Sequence, residues 1–501
     1  MIEKLNQPSD RSPNRELTAS LTTQAALTRR PNGHFREWIA IPLFSLALLI
    51  PCFWQSRIQA ADLSSHIYNA WLASQIRRGA APGLWIEPQS NNVLFDLILE
   101  WLFTRVGPNF AQRIAVSVSV LVFGWGAILF IFRAGGRNWW FAFPCVAMLA
   151  YGFIFHMGFF NFCLSLGLCL WYLGVFWGRS WQIRALAVPL LIIAWVAHPF
   201  PVVWALGTAA YIAFADYLQP RRRFLLMACG VAALMLLRYV LTSRYSYFWS
   251  VDQLTFITGA NQIALFGLKY IPLFACLLLI WAMLLRDVIT RLGAAHLLAS
   301  VPFQLWLLNA AAVVLIPDRL LLPEFGRPLG YIAQRLSLSS GLLMCAVLAA
   351  APMTRATKVA LASVAILFFA LLYTDDRELN KLEDRMDLVV NQLPRGQRVV
   401  TYLHDQSLRS LVIYHNLDRA CIGHSFSYAN YEPSSKQFRI RARPGNGIVL
   451  DNYADVDAVA SGSYVVQPRD LPLYLIIPCG VDFHDVCSHP LGAGEINGKP
   501  N

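Results

Sequence analysis

Asp62-Leu63-Ser64-Ser65-His66 opens the stretch whose reading decides the fold, Ala60 to Glu100. It continues through Ile67-Tyr68-Asn69-Ala70-Trp71-Leu72 and Arg77-Arg78-Gly79 into Asn91-Asn92-Val93-Leu94-Phe95-Asp96-Leu97-Ile98-Leu99-Glu100. The stretch follows one apolar run and ends inside the next, so its acids and its histidine sit at the edge of a hydrocarbon layer. Leu63, Ile67, Ala70, Trp71 and Ile76 form a helical stripe, which predicts a helix lying on the membrane surface. Asp62 and His66 are four apart and share a face of that helix. One reading makes Asp62 a general base at the lipid–water boundary, with His66 orienting it or binding a phosphate. The other makes Asp62 the N-cap of the helix; a capping carboxylate keeps a free oxygen, so the two are compatible.

Asp96 and Glu100 are also four apart, within the following apolar run. Each would cost ~2.5–3.5 kcal/mol near a bilayer centre, so both are expected to face protein, water or a cation. Asp96, closer to the outer end, can join Asp62 around a substrate or a divalent cation, Mg or Mn. Glu100 is expected to hydrogen-bond inside the bundle.

Only 14% of the 501 residues are charged and 56% are hydrophobic. Soluble domains carry about 25% charged residues, so the composition predicts an all-α polytopic membrane bundle. The net charge of +12 is spread in short basic clusters between apolar runs. That pattern fits anchoring against membrane lipids and excludes a nucleic-acid domain. Seven of the ten cysteines fall in apolar runs; Cys421, Cys479 and Cys487 lie in a polar tail. Their spacing with His424, His484 and His489 matches no zinc pattern, and a disulfide among them is the better expectation.

Residues 1–36 are polar and aperiodic and are expected to form a disordered cytoplasmic arm. Residues 37–373 form the membrane domain, with a first extracytoplasmic loop at 55–91. Its apolar runs lie at 38–54, 92–106, 114–133, 138–156, 159–177, 184–215, 223–241, 263–285, 294–316, 334–352 and 357–373, about eleven transmembrane helices. The run at 184–215 holds His198-Pro199-Phe200-Pro201, where two missing N–H donors should kink or break the helix. Basic residues at 221–223, 286, 291, 355 and 358 follow alternate spans and assign that side to the cytoplasm. Arg133, Arg137, Arg179 and Arg184 would then lie outside, against the same rule. An amino terminus inside and eleven crossings put residues 374–501 outside, as a small α/β or α+β domain. Its helix runs from 375 to 393, and its strands lie at 398–403, 447–450 and 473–477.

The outer loop Pro317-Asp318-Arg319-Leu320-Leu321-Leu322-Pro323-Glu324-Phe325-Gly326-Arg327, followed by Arg335, mixes cations with leucines. Guanidinium forks clamp phosphate oxygens while leucines meet an isoprenoid or acyl chain. Snorkelling at an interface is the plain alternative for any one of these arginines. His198, in the broken run, is a substrate-site candidate because broken helices are tolerated where they line a cavity. His156 reads as a packing residue.

With Asp62-x-x-x-His66 after a short first span and many shorter spans behind it, the chain resembles the GT-C-type integral-membrane glycosyltransferases, including the mannosyl- and aminoarabinose-transferase groups. The resemblance is architectural over 38–373 and at motif level over 60–100. It implies a polyprenyl-phosphate sugar as lipid-linked donor, an acid of the first outer loop that deprotonates the acceptor, and, in some members, a divalent metal. Many members have two adjacent acids; here Leu63 follows Asp62, so the second acid is Asp96 or is absent. These expectations make Asp62, His66 and Asp96 catalytic, with Asp62 and Asp96 as candidate metal ligands. Arg319, Arg327, Arg335 and His198 bind substrate, and the chain is a multi-pass protein of the plasma (inner) membrane. A transporter or flippase and a polysaccharide polymerase are the alternatives.

Overall fold

A computed structural model describes residues 33–136, 141–480 and 485–498. The chain divides into two compact units, Met1–Ala47 and Leu48–Asn501, and the second holds the 55–91 loop, the helical bundle behind it and the tail. The expected arm at 1–36 lies outside the described residues except for 33–36, which open helix α1 (Gly33–Phe53).

The helices following α1 are α2 (Ala61–Arg77), α3 (Leu94–Gly135), α4 (Ala142–Ala150), the single turn α5 (Phe153–His156) and α6 (Phe160–Phe176). Next come α7 (Trp181–Leu186), α8 (Val188–Ala197), α9 (Pro199–Tyr217), α10 (Pro220–Arg244) and α11 (Ile271–Leu292). The chain continues through α12 (Ala294–Ala299), α13 (Val301–Leu315), α14 (Ile332–Leu348) and α15 (Arg355–Gln392), then α16 (Leu408–Ala420), α17 (Tyr431–Ser435) and α18 (Tyr453–Ala460). Among the described residues, five helices are long and apolar enough to cross a membrane: Leu94–Gly135, Pro199–Tyr217, Pro220–Arg244, Leu268–Leu292 and Arg355–Gln392. Six shorter apolar helices of 10–17 residues accompany them among the described residues. Helix lengths therefore support a helical, membrane-compatible chain, and they do not by themselves establish eleven spans.

Helix contacts sort the helix ends into two levels. At one end Trp54 Nε1 donates to Asp376 (3.0 Å), Asn161 to Asp96 (2.7 Å), Val93 N–H to Val196 O (3.1 Å) and Lys269 to Asp375 (2.6 Å). At the other, Gly135 abuts Ala346 and Ala349, Arg184 pairs with Asp216 (2.7 Å) and Arg223 donates to Ala299 O (3.4 Å).

Two expected spans are corrected by this sorting. Residues 94–106 do not traverse the bundle. Asp96 and Glu100 near their start and Gln112 just beyond them all bond groups at the first level, so this segment runs along that end. The traverse begins after Gly107, whose φ of 76° breaks the helix before Pro108. Conversely, 184–215 is two traverses, because α8 stops at Ala197 and α9 starts at Pro199 around an extended His198. His198 caps the new helix, its Nδ1 accepting from Phe200 N–H (3.1 Å). Arg133, Arg179 and Arg184 lie toward the Gly135 end, where Ala346 and Ala349 precede Arg355; Arg137 lies outside the described residues.

Close packing inside the bundle depends on small residues. A Cβ on Gly167 would sit 2.7 Å from the backbone nitrogen of Phe123, so α3 and α6 approach there only because the side chain is missing.

The tail is not set off by a hinge. Helix α15 runs unbroken from the bundle past residue 373. Beyond it β4 (Arg398–Val400), β5 (Phe426–Ser427), β7 (Leu473–Cys479) and β8 (Asp485–Leu491) form a mixed sheet in the order β5-β4-β7-β8. The segment at 447–450 is not a strand, because Asn446 Oδ1 accepts from both Ile448 and Val449 N–H (2.9 Å each), occupying donors a ladder would need. Cys479 and Cys487 form a disulfide across β7 and β8. Strand β6 (Ile440–Ala442) pairs antiparallel with β1 (Leu84–Ile86) of the 55–91 loop, and β2 (Ser246–Phe248) pairs with β3 (Arg319–Leu321).

Helix α2 is therefore not a surface helix. Residues 61–70 are all buried, because α16 covers the side turned away from the bundle. Ser64 donates to Asn416 (3.1 Å), and Ser427 N–H to Tyr68 Oη (3.1 Å). A buried ion pair fixes this layer: Arg419 of α16 makes two bonds of 2.6 Å to Glu383 of α15 and further bonds to Ile58 O and Gln112. Removing one partner of such a pair leaves a charge without compensation. Arg419→Leu should destabilise the detergent-solubilised protein by about 3–5 kcal/mol. Lys381→Ala, breaking an exposed i,i+3 pair with Glu378, should cost at most about 0.5 kcal/mol; thermal unfolding of both variants checks the contrast.

Candidate active site

Where the loop, the bundle and the tail meet there is a cavity of about 660 Å³. Asp62, His66, His198, Arg319, Arg327 and Arg335 all line it. Of the seven sequence-derived site residues only Asp96 is missing from its wall.

Asp62 stands in the first turn of α2, behind an N-cap at Ala60, so the capping reading of Asp62 is corrected. Its N–H donates to Met157 O (3.2 Å). Gly158 makes that approach feasible: its φ is +82°, and a Cβ there would lie 2.5 Å from Asp62 N. The carboxylate is buried, with Oδ1 3.4 Å from His415 Nε2.

His66 lies one turn further on, and its Nδ1 is 2.6 Å from Asp96 Oδ1. Asp96 is held in turn by Asn161, which donates to Oδ2 (2.7 Å) while accepting from Phe95 N–H (2.8 Å). Asp96 thus stands behind His66 and orients it, and does not join Asp62 around a substrate. Glu100 pairs with Arg77 and with Arg439 of the tail, so its expected role inside the bundle becomes a link to the tail. His156 is a packing residue whose Nδ1 bonds Gln59 O (2.9 Å).

A metal, if one binds, has a different donor set from the expected Asp62–Asp96 pair. His66, Asp96 and Glu432 bring their ligand atoms within 4.8 Å of one another, all buried. One imidazole and two carboxylates suit Mn or Zn better than Mg. The charges there respond strongly to protons. Burial works against the His66 imidazolium, but Asp96, then Glu432 and Asp62, outweigh it and lift its pKa from 6.5 to about 9. Burial, seconded by Asp96 and opposed by His66 and Arg439, lifts Glu432 from 4.5 to about 8.

The arginines come from the outer loop. Arg319 opens β3, and Arg327 follows Gly326, whose N–H donates to Ser435 O of the tail (3.1 Å). Arg335 lies in the first turn of α14, just after Tyr331, a non-glycine residue at φ 60°. Each guanidinium rests on aromatic rings, Arg327 on Tyr431 (4.6 Å), Arg335 on Phe159 (4.4 Å) and Arg319 on Phe248 (5.7 Å). Among the described residues none has a carboxylate within 4.0 Å, and the buried Nε of Arg335 has no hydrogen-bond partner. Arg319 is exposed and Arg327 and Arg335 are half-buried, so the three guanidinium groups leave N–H donors free at the cavity wall.

The sequence reading missed the tail's contribution: His415, Glu432, Tyr431 and Tyr453 also bound or support this site. His415 and Asp418, three apart in the tail, are the one usable signal. No family model, curated protein or solved structure matches the chain.

His66 and Glu432 both bind protons more tightly in the folded chain. The His66 contribution to stability is complete below about pH 6.5 and is lost as the pH rises through 9; that of Glu432 is complete below about 4.5 and lost through 8. Chelator-treated protein should therefore lose thermal stability steadily between pH 6 and 9.5, and His66→Gln should flatten the profile. Metal must displace these protons, so added Mn²⁺ should raise the melting temperature more at pH 8.5 than at pH 6.

Proposed function

We propose that the chain is an integral-membrane glycosyltransferase that moves a sugar from a polyprenyl-phosphate donor to an acceptor on the side where the tail lies. The observation that carries this reading is the trio Arg319, Arg327 and Arg335, each stacked on aromatic rings and, among the described residues, without a carboxylate within 4.0 Å, around a cavity that also holds Asp62. A phosphate is a good leaving group whose departing charge needs cations more than covalent catalysis. The arginines supply them, and Asp62 is the base that takes the acceptor's hydroxyl proton. Apolar lining from Leu321, Leu329 and Phe159 suits the first units of a lipid carrier. His66, aligned by Asp96, faces the same space; a divalent cation bound with Glu432 would neutralise phosphate charge there.

The membrane topology follows the corrected helix ends. We infer eleven crossings: the run ending at Phe53, residues 108–135, 142–156, 160–176, 181–197, 199–217, 220–244, 271–292, 294–315, 332–348 and the first half of α15. Counted this way, Arg133, Arg179, Arg184, Arg221 to Arg223, Arg286, Arg291, Arg355 and Lys358 share one face, which removes the conflict raised by Arg133, Arg179 and Arg184. That face is the cytoplasm. The tail, with its Cys479–Cys487 disulfide, is then extracytoplasmic, in keeping with an oxidising compartment. We place the protein in the plasma membrane, in cell-envelope glycan assembly.

Membrane-impermeant labelling of single cysteines should modify position 404 in intact cells and position 355 only after permeabilisation; the reverse pattern refutes the orientation. Asp62→Asn should lower consumption of a polyprenyl-phosphate sugar by about 10²–10⁴-fold with expression unchanged. Arg327→Gln should raise the donor KM. Donor binding without any transfer in the wild type would favour a flippase instead.

A further inference from the structure

The tail carries a histidine that touches the base. His415 of α16 places Nε2 3.4 Å from Asp62 Oδ1. Its other nitrogen, Nδ1, is 3.0 Å from Ser65 Oγ and 3.4 Å from Asp418 Oδ2. Asp418 is also bonded by the Ser65 hydroxyl and, at 2.5 Å, by that of Ser427. With His415 neutral, one assignment of hydrogens serves the serines, Asp418 and the Nδ1 side of the ring. Both serines donate to the Asp418 carboxylate, His415 Nδ1–H donates to Ser65 Oγ, and Nε2 keeps its lone pair toward Asp62. Two acceptors then face each other beside the cavity with no hydrogen between them. Such a gap is unfavourable until a proton enters it.

We propose that Asp62 and His415 act together as the proton acceptor, so that the tail supplies half of the base. This rests on the transferase reading above. As the acceptor's oxygen bonds the anomeric carbon, its O–H bond breaks and the proton enters the gap, ending on His415 Nε2 and hydrogen-bonded to Asp62 Oδ1. The bond from the anomeric carbon to the phosphate oxygen breaks, and its electron pair leaves with the phosphate, which the arginines hold. The imidazole becomes an imidazolium between the carboxylates of Asp62 and Asp418 and needs no further counter-ion. Two other titratable groups pack on its ring: Tyr414 of α16 (5.1 Å) and Tyr431 of α17 (5.6 Å), the latter with Arg327 behind it. The arrangement also gives the buried serines a purpose, since Ser65 sets the tautomer that leaves Nε2 free.

The test compares the full chain with His415→Gln, Asp418→Asn and Asp62→Asn in lipid nanodiscs, following consumption of a polyprenyl-phosphate sugar against pH together with thermal unfolding. His415→Gln should lower kcat by about 10²-fold with KM within about twofold, and it should abolish the acidic limb of the pH–rate profile. Asp418→Asn, isosteric and remote from substrate, should shift that limb to lower pH, because the imidazolium loses a stabilising carboxylate. A His415→Gln enzyme of full activity, or one slowed but retaining the acidic limb, overturns the role of His415 and leaves the transferase reading standing. If His415→Gln does not fold, an acidic limb unmoved in Asp418→Asn overturns it instead. A wild-type chain that consumes no such donor overturns both.

Discussion

The guanidinium of Arg419 is the tie on which the site depends. It is buried where α16 crosses α15, doubly bonded to Glu383, and it reaches Ile58 of the loop and Gln112 of the bundle. A charge taken out of water is tolerated only when every donor finds a partner, so this one geometry holds tail, loop and bundle in register. Four residues before Arg419, on the same helix, His415 meets Asp62. The position of the proposed base is thus set by an ion pair that takes no part in chemistry. The close approach of Asp62 to Met157, with glycine required at 158, fixes the other side.

Around that frame the charges divide into satisfied and waiting. Glu100, Glu383 and Asp96 are matched by Arg439, Arg419 and His66, and their networks stiffen the junction. Arg319, Arg327 and Arg335 stack on rings and, among the described residues, have no carboxylate within 4.0 Å. Aromatic faces soften the cost of burying a guanidinium without neutralising it, and a bound anion gains from what remains. Asp62 lines the same cavity as these arginines, which is the arrangement the proposed displacement at a phosphorylated carbon would use.

The span count shows how far an apolar run can mislead. Residues 92–106 are hydrophobic enough to suggest a crossing, yet Asp96 and Glu100 have their partners in α2 and the tail, so the segment packs along that end of the bundle. Residues 184–215 are continuous in hydropathy, yet two prolines and a histidine cap turn them into two traverses. Hydropathy reports how much of a segment avoids water and says nothing about what its few polar groups bond to. In the tail, likewise, Asn446 competes for the backbone donors of an apolar run that reads as a strand.

Local chemistry alone determined a good deal here. A bilayer-compatible composition, the break at His198, and the acid, histidine and arginines that surround one cavity are all legible along the chain, because each is a property of a short segment. The tertiary structure decided which of these groups meet. Asp96 stands behind His66, although spacing suggested it beside Asp62, and the tail, silent as a sequence, brings His415, Glu432 and Arg439 into the junction. Those partners lie more than three hundred residues from the loop they complete, and no periodicity or spacing rule reaches that far. The packing of α16 onto α2 and α15 brings in His415, and the pairing of β6 with β1 brings in Arg439 and the neighbouring Glu432.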